Sequence, residues 1–183
     1  MKRITTLSFF MLFCWITAFA IPRAEYPRPQ FERNAWINLN GEWTYSFDFG
    51  GSGLEREWFK STGFDQKIIV PFCPESKLSG VEYKDFINHM WYHRTISIPQ
   101  DWANKQVLLN FGAVYYKSEI YIDGVFAARH FGGTSSFQVD ITPYVKAGQT
   151  HNLVVYVESD VRSTHQPSGK QNLQFASYGC NYT

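Results

Sequence analysis

The chain has 183 residues, 44% hydrophobic, 18% charged and 18% aromatic, with a formal net charge of +1. The apolar and charged shares argue against disorder over most of the length, and the balanced charge gives no electrostatic case for nucleic acid or an anionic membrane surface. The length accommodates one domain, or two small ones, and excludes a complete β/α barrel of about 250 residues.

Residues 1–20 read as a secretory signal peptide. Lys2 and Arg3 supply the positive start, Leu7 to Thr17 the apolar stretch and Ala18-Phe19-Ala20 the cleavage site. The apolar run is short for a membrane span and Pro22 follows at once, so cleavage is expected rather than retention as an anchor. Phe13 ahead of Cys14 argues against a lipoprotein. The expected location is therefore exported, periplasmic or extracellular, with no membrane attachment after cleavage. Without residues 1–20 the remaining 163 carry 15 basic and 16 acidic side chains, a net charge of −1. Cys73 and Cys180 remain. They allow one long-loop disulfide or two separate thiols, and are too few for a disulfide scaffold.

Residues 21–34, with Pro22, Pro27 and Pro29, read as an extended lead-in. A domain over 35–160 follows. After the Asn40-Gly41 turn, Glu42 to Asp48 alternates strictly, with Trp43, Tyr45 and Phe47 on one face. That period of two predicts a half-buried strand. Leu54 to Phe59 fits a short helical turn. Lys67 to Pro71 reads as a strand stopped by proline. Trp91 to Ile98 alternates again, with Tyr92, Arg94, Ile96 and Ile98 together, and Val107 to Phe111 is a further strand. Ser118–Asp123 and Val125–His130 flank Asp123-Gly124, a hairpin signal because both turn residues tolerate positive φ. Phe137, Val139 and Ile141 alternate next. Thr142-Pro143 reads as a cap with proline at the first helical position. Asn152 to Glu158 closes the series, with Leu153, Val155 and Val157 inward. Seven or more short strands without βαβ alternation predict an all-β fold, a β-sandwich or jelly roll. Residues 161–183 carry no period and read as a functional loop or a tail.

Few constellations carry chemistry. His89 and His93 have zinc-like spacing, but on a strand segment, and Met90 stands where a zincin needs Glu. No metal or cofactor is expected. Ser168-Gly169-Lys170 lacks the upstream glycines of a phosphate loop, and the Gly50–Gly53 run opens no helix. The 16 acidic residues single out no glycosidase pair. Glu42, Asp48 and Glu158 read as solvent-facing strand residues and Asp123 as a turn residue. Trp43, Trp91 and Phe111 read as core. Phe86, Phe175, Tyr178 and Tyr182 fall outside strand periodicity and are the aromatic candidates for stacking on a sugar face.

The ordered motifs resemble the N-terminal sugar-binding domain of family-2 glycoside hydrolases, the β-galactosidase, β-glucuronidase and β-mannosidase group. The likeness runs through Arg28-Pro29-Gln30, Leu39-Asn40-Gly41-Glu42-Trp43, Val70-Pro71-Phe72, Trp91-Tyr92-His93-Arg94, Phe111-Gly112-Ala113-Val114 and Ile122-Asp123-Gly124. It continues through His130-Phe131-Gly132-Gly133-Thr134 and Phe137-Gln138-Val139-Asp140-Ile141-Thr142. The resemblance implies a galactose-binding-domain-like jelly roll and a carbohydrate partner, a β-linked glycan. It also implies downstream immunoglobulin-like and barrel domains, the barrel holding both catalytic carboxylates. On this reading residues 161–183 lead toward a missing final strand, the chain is truncated and inactive alone, and its open sheet edge favours self-association. Loops of such domains reach the barrel rim. By resemblance the segments 86–91 and 166–183 help hold substrate, with Asn88, His89, Lys170, Gln171, Tyr178 and Asn181 as candidates to bond sugar hydroxyls. A stand-alone carbohydrate-binding module and a β-sandwich used only for protein packing are the alternatives.

Overall fold

A computed structural model describes residues 21–26, 30 and 32–160. Eight strands lie among them: β1 (Gly41–Phe47), β2 (Gln66–Val70), β3 (His89–Ser97), β4 (Leu108–Phe111), β5 (Lys117–Ile122), β6 (Val125–Phe131), β7 (Phe137–Asp140) and β8 (Thr150–Glu158). Helical structure among the described residues is confined to short 3-10 turns. The expected signal peptide, part of the lead-in and the segment 161–183 lie outside the described residues.

The strands form a six-stranded sheet in the order β2-β1-β3-β8-β5-β6 and a two-stranded sheet of β4 and β7. Every pairing is antiparallel. This is the all-β sandwich of jelly-roll type that the periodicity predicts. The two edges of the larger sheet among the described residues are β2 and β6.

The main core lies between the sheets. Trp43 and Tyr45 of β1, Met90, Tyr92 and Ile96 of β3, Ile120 and Ile122 of β5 and Leu153, Val155 and Val157 of β8 enter it from the large sheet. Leu109 and Val139 face them from the small one. Removing each such side chain from water contributes about 1.5–3 kcal/mol. Phe111 is half-buried at the core's margin and stacks on Phe137 at 4.7 Å.

The outer face of the large sheet is also covered, which the alternation does not foretell. Trp91, Tyr121, Val154 and Tyr156 form a second buried cluster beneath Trp58, Phe59 and Phe64. The connection between β1 and β2 thus folds back as an arm over β3, β8 and β5. The helical turn expected at Leu54–Phe59 is a run of turns ending in a 3-10 turn at Trp58–Lys60. Asp48, expected to face solvent, is 4% exposed because the arm closes over it. Thr142 lies inside its 3-10 turn rather than capping it, and Ile141 precedes the turn. The Thr142 hydroxyl instead accepts the Val107 N–H at 2.8 Å.

The hairpin expectation holds. Asp123 and Gly124 have φ of 49° and 78° between β5 and β6. A bulge at Ile120/Tyr121 shifts the register, so Glu119 pairs with Arg129.

Candidate functional site

Antiparallel register gathers several strand ends into one rim. His89 of β3 lies opposite Glu158 of β8, which lies opposite Lys117 of β5, which lies opposite Phe131 of β6. The 81–88 loop and the start of the arm join this rim, because Asp48 N–H donates to the His89 carbonyl at 3.0 Å. The segment leaving β8 also passes here, where Ser159 N–H bonds the Asn88 carbonyl at 2.8 Å.

Asn88 and His89 therefore sit where the connecting segments converge. His89 Nδ1 shares a 2.8 Å hydrogen bond with the Tyr156 hydroxyl, and the two rings lie nearly parallel. Gly51 lies close to the other ring nitrogen: a β-carbon there would stand 3.3 Å from Nε2. Asn88 Oδ1 is buried without a hydrogen-bond partner among the described residues. A buried amide oxygen left unpaired costs about 1–3 kcal/mol. Ser118 Oγ is likewise unpartnered among the described residues, but its side chain is fully enclosed.

The rim is strongly ionised. Lys117 bonds Glu158 at 2.7 Å and lies 3.5 Å from Glu119. Glu119, 3% exposed, accepts from Arg129 Nε at 2.9 Å and from the Tyr121 hydroxyl at 2.6 Å. Burial pushes the Glu119 carboxyl upward, but the Tyr121 hydroxyl and the Lys117 and Arg129 charges outweigh it and hold the group below the ordinary range. Burial and then the adjacent Glu119 push the Tyr121 phenol up. Burial, followed by the charges of Glu158, Asp48 and Glu119, does the same to Tyr156. Both phenols thus stay protonated at neutral pH.

Asp48 accepts from Ser52 N–H, Gly53 N–H and the Trp91 indole at 3.0, 2.8 and 3.1 Å. Asp48 and Glu119 are each committed to several donors. That arrangement fixes loops and orients rings, and leaves neither carboxylate poised to move a proton to a glycosidic oxygen.

His93 is not paired with His89. Four strand residues separate their backbones by about 13 Å. His93 Nε2 faces Asn152 Oδ1 at 3.0 Å and its Nδ1 faces the Thr44 hydroxyl at 3.2 Å. Among the described residues no group of three or more His, Cys, Asp or Glu side chains could hold a metal. Phe86, expected as a stacking candidate, is half-buried in the 81–88 loop. Lys170, Gln171, Tyr178 and Asn181 lie outside the described residues. So does Cys180, with which a disulfide of Cys73 would be made; Cys73 is half-buried in the turn after Pro71.

Residues 37–168, which span every strand, match the model of the glycosyl hydrolases family 2 sugar binding domain. The chain belongs to that family. It is 30% identical over 135 residues to a β-glucuronidase of Felis catus and 25% identical over 134 residues to one of Paenibacillus borealis. These alignments cover 67% and 73% of this chain but only 20% and 22% of those proteins. The fold is similar to a β-glucuronidase of Ruminococcus gnavus in complex with D-glucuronic acid, with a TM-score of 0.58 and 26% identity over 66% of this chain and 21% of that one. It is similar also to a β-glucuronidase of Lactobacillus rhamnosus, with a TM-score of 0.59 and 27% identity over 67% and 21%. The chain spans about a fifth of the length of the curated relatives it matches. As a family-2 sugar-binding domain, it carries its rim residues on a sandwich held rigid from both faces.

Proposed function

We propose that this sugar-binding domain holds substrate for an exported β-glycosidase that hydrolyses O-glycosyl bonds, with β-glucuronides as the substrate class. The likeness to β-glucuronidases across both sheets carries this reading. The rim supports it chemically: the Asn88 amide oxygen has no partner among the described residues, and His89 is held in place by Tyr156. Lys170, Gln171, Tyr178 and Asn181 are proposed to complete the same site, by resemblance. By resemblance, bond cleavage belongs to a pair of carboxylates on a downstream barrel; Asp48 and Glu119 serve as structural acceptors. Export is supported by Lys2, Arg3, the apolar stretch and Ala18-Phe19-Ala20. Among the described residues no helix is long and apolar enough to cross a membrane.

Self-association belongs to the same proposal. Strand β6, an edge of the large sheet among the described residues, presents Val125, Phe126 and Phe131, about half exposed each.

Sequencing the transcript beyond the Thr183 codon tests the reading. A continuing frame that encodes a barrel, with hydrolysis of a chromogenic β-glucuronide by its product, is expected. A stop directly after Thr183 contradicts it; saccharide binding by the chain would then favour a stand-alone module, and no binding a packing-only sandwich.

A further inference from the structure

At the rim, the outer face of the large sheet carries a row of polar side chains that ends on His89. Lys117 of β5, Glu158 of β8 and His89 of β3 lie opposite one another in register. Tyr156 stands next but one to Glu158 on the same strand, and so on the same face. Its ring is buried in the second cluster, with its centroid 4.6 Å from that of Trp91 and the Lys117 ammonium 5.7 Å above it. That packing fixes the phenol. Its hydroxyl lies 2.8 Å from His89 Nδ1, and the two rings are within 7° of parallel.

The direction of that hydrogen bond follows from what else the hydroxyl meets. A phenol and an imidazole can each donate or accept. The Glu158 carboxylate, held by Lys117 at 2.7 Å, also hydrogen-bonds the Tyr156 hydroxyl. A carboxylate only accepts, so the phenol O–H points to Glu158 and its oxygen is left to accept from His89 Nδ1–H. The surrounding charges agree with this direction. Glu158, Asp48 and Glu119 all bear on the phenol and hold its proton in place. Their field favours an N–H turned toward the hydroxyl over a bare ring nitrogen. The nearby cations do not reverse it, because Lys117 is paired with Glu158 and Arg129 with Glu119.

The bond made by one ring nitrogen decides what the other can do. A neutral His89 that donates at Nδ1 keeps a lone pair at Nε2. That atom lies beside Gly51 of the arm, where a β-carbon would stand only 3.3 Å away, so a side chain at this position would crowd it. A hydroxyl can donate to such a nitrogen, whereas carboxylate oxygens, which only accept, cannot bond it.

We infer that Tyr156 is a positioning residue for the rim: through it the Lys117–Glu158 ion pair sets the proton of His89 on Nδ1 and presents Nε2, beside Gly51, as a hydrogen-bond acceptor for a hydroxyl. This use of Nε2 rests on the rim reading, but the placement of the proton is a property of the domain without any ligand.

The test is a long-range proton–nitrogen NMR spectrum of the isotope-labelled full chain at about pH 8.5, where an ordinary imidazole is neutral. His89 is expected to show a protonated Nδ1 and a bare Nε2. Tyr156→Phe keeps the packed ring and removes the acceptor, and Glu158→Ala frees the hydroxyl to turn toward Nδ1. Both are expected to move the proton to Nε2 while tryptophan fluorescence stays as in the parent, an exchange that a merely structural Tyr156 would not produce. A parent protein with the proton on Nε2 overturns the inference without any variant, as does an Nδ1 proton retained in both folded variants. Titration with methyl β-D-glucuronide then separates this inference from the rim reading. Tyr156→Phe is expected to weaken that binding about three- to tenfold, and equal affinity would overturn the positioning role. No binding by a parent whose Nδ1 is protonated would uphold the proton's placement and contradict the rim reading.

Discussion

The Trp91 indole N–H donates to Asp48 Oδ2 at 3.1 Å, and this bond ties the covering arm to the outer face of the sheet. The same carboxylate accepts two backbone N–H groups of the arm, from Ser52 and Gly53. Trp91 is fully buried beneath Trp58, so a single acid organises both the arm and the aromatic layer under it.

Replacing Asp48 with Ala strands three donors under the arm. The expected loss is about 2–4 kcal/mol in a urea melt, with Asp48→Asn recovering part of it through its one remaining oxygen. Equal stability of Asp48→Ala and the parent would show that the arm is not held this way.

Gly53 has no room for a side chain. A β-carbon there would clash with Trp91 Nε1 and stand 2.7 Å from Asp48 Oδ2. Gly53→Ala is expected to cost about 1–3 kcal/mol and to shift tryptophan fluorescence toward the exposed range. Gly50→Ala, which meets nothing within 4 Å, is the control and is expected to be near neutral.

Acid sensitivity follows from Glu119 and Asp123. For Asp123, burial raises the carboxyl, but the Asn152 N–H and His151 outweigh that and hold it low. Glu119 is held low by Tyr121, Lys117 and Arg129 against its own burial. Both groups sit below their ordinary values of 4.5 and 3.8, so their stabilisation is fully present above those values. It is lost as pH falls through the lower folded values, because the unfolded chain then binds protons first. Glu119→Gln is expected to lower stability at neutral pH by about 1–3 kcal/mol and to flatten its fall below pH 4.5, as read by thermal melts across that range. An unchanged acid slope would contradict the assignment.

The Asp123 turn is also locked to β8. His151 Nδ1 lies 2.6 Å from Asp123 Oδ2, and His151 Nε2 accepts the Lys146 N–H at 3.0 Å. His151 thus bridges the 3-10 turn's exit to the Asp123 turn, accepting at Nε2 and facing the carboxylate with Nδ1. Asp123→Ala removes acceptors for Asn152 N–H and His151 and places alanine at a φ of 49°. The expected cost is about 1–3 kcal/mol by urea melt, with Asp123→Asn losing less because Asn tolerates that backbone. Indistinguishable melts for the two variants would contradict the turn's role.

Much of the sandwich was legible because one face of each long strand repeats strictly. Trp43, Tyr45 and Phe47, or Leu153, Val155 and Val157, mark an inner face without any tertiary information. The second cluster was not legible in the same way. Val154 and Tyr156 are buried only because the arm returns over them, and no local period of Leu54 to Phe64 says where it lands. Asp48, on the solvent face by alternation, is buried for the same reason. The Glu119–Arg129 pair was hidden by the bulge at Ile120/Tyr121, since an even hairpin would place Ala128 opposite Glu119. At the rim, resemblance pointed to Asn88 and His89, but Tyr156 as the partner of His89 became visible only once β3 and β8 were in register.

The central claim is that the rim of this sandwich holds saccharide. The most direct measurement is an NMR titration of the full chain with methyl β-D-glucuronide, read at the Asn88 side-chain amide and the His89 ring. The account predicts saturable shifts at both, diminished by Asn88→Ala. Signals that stay fixed at the highest soluble concentration of the glycoside would contradict it.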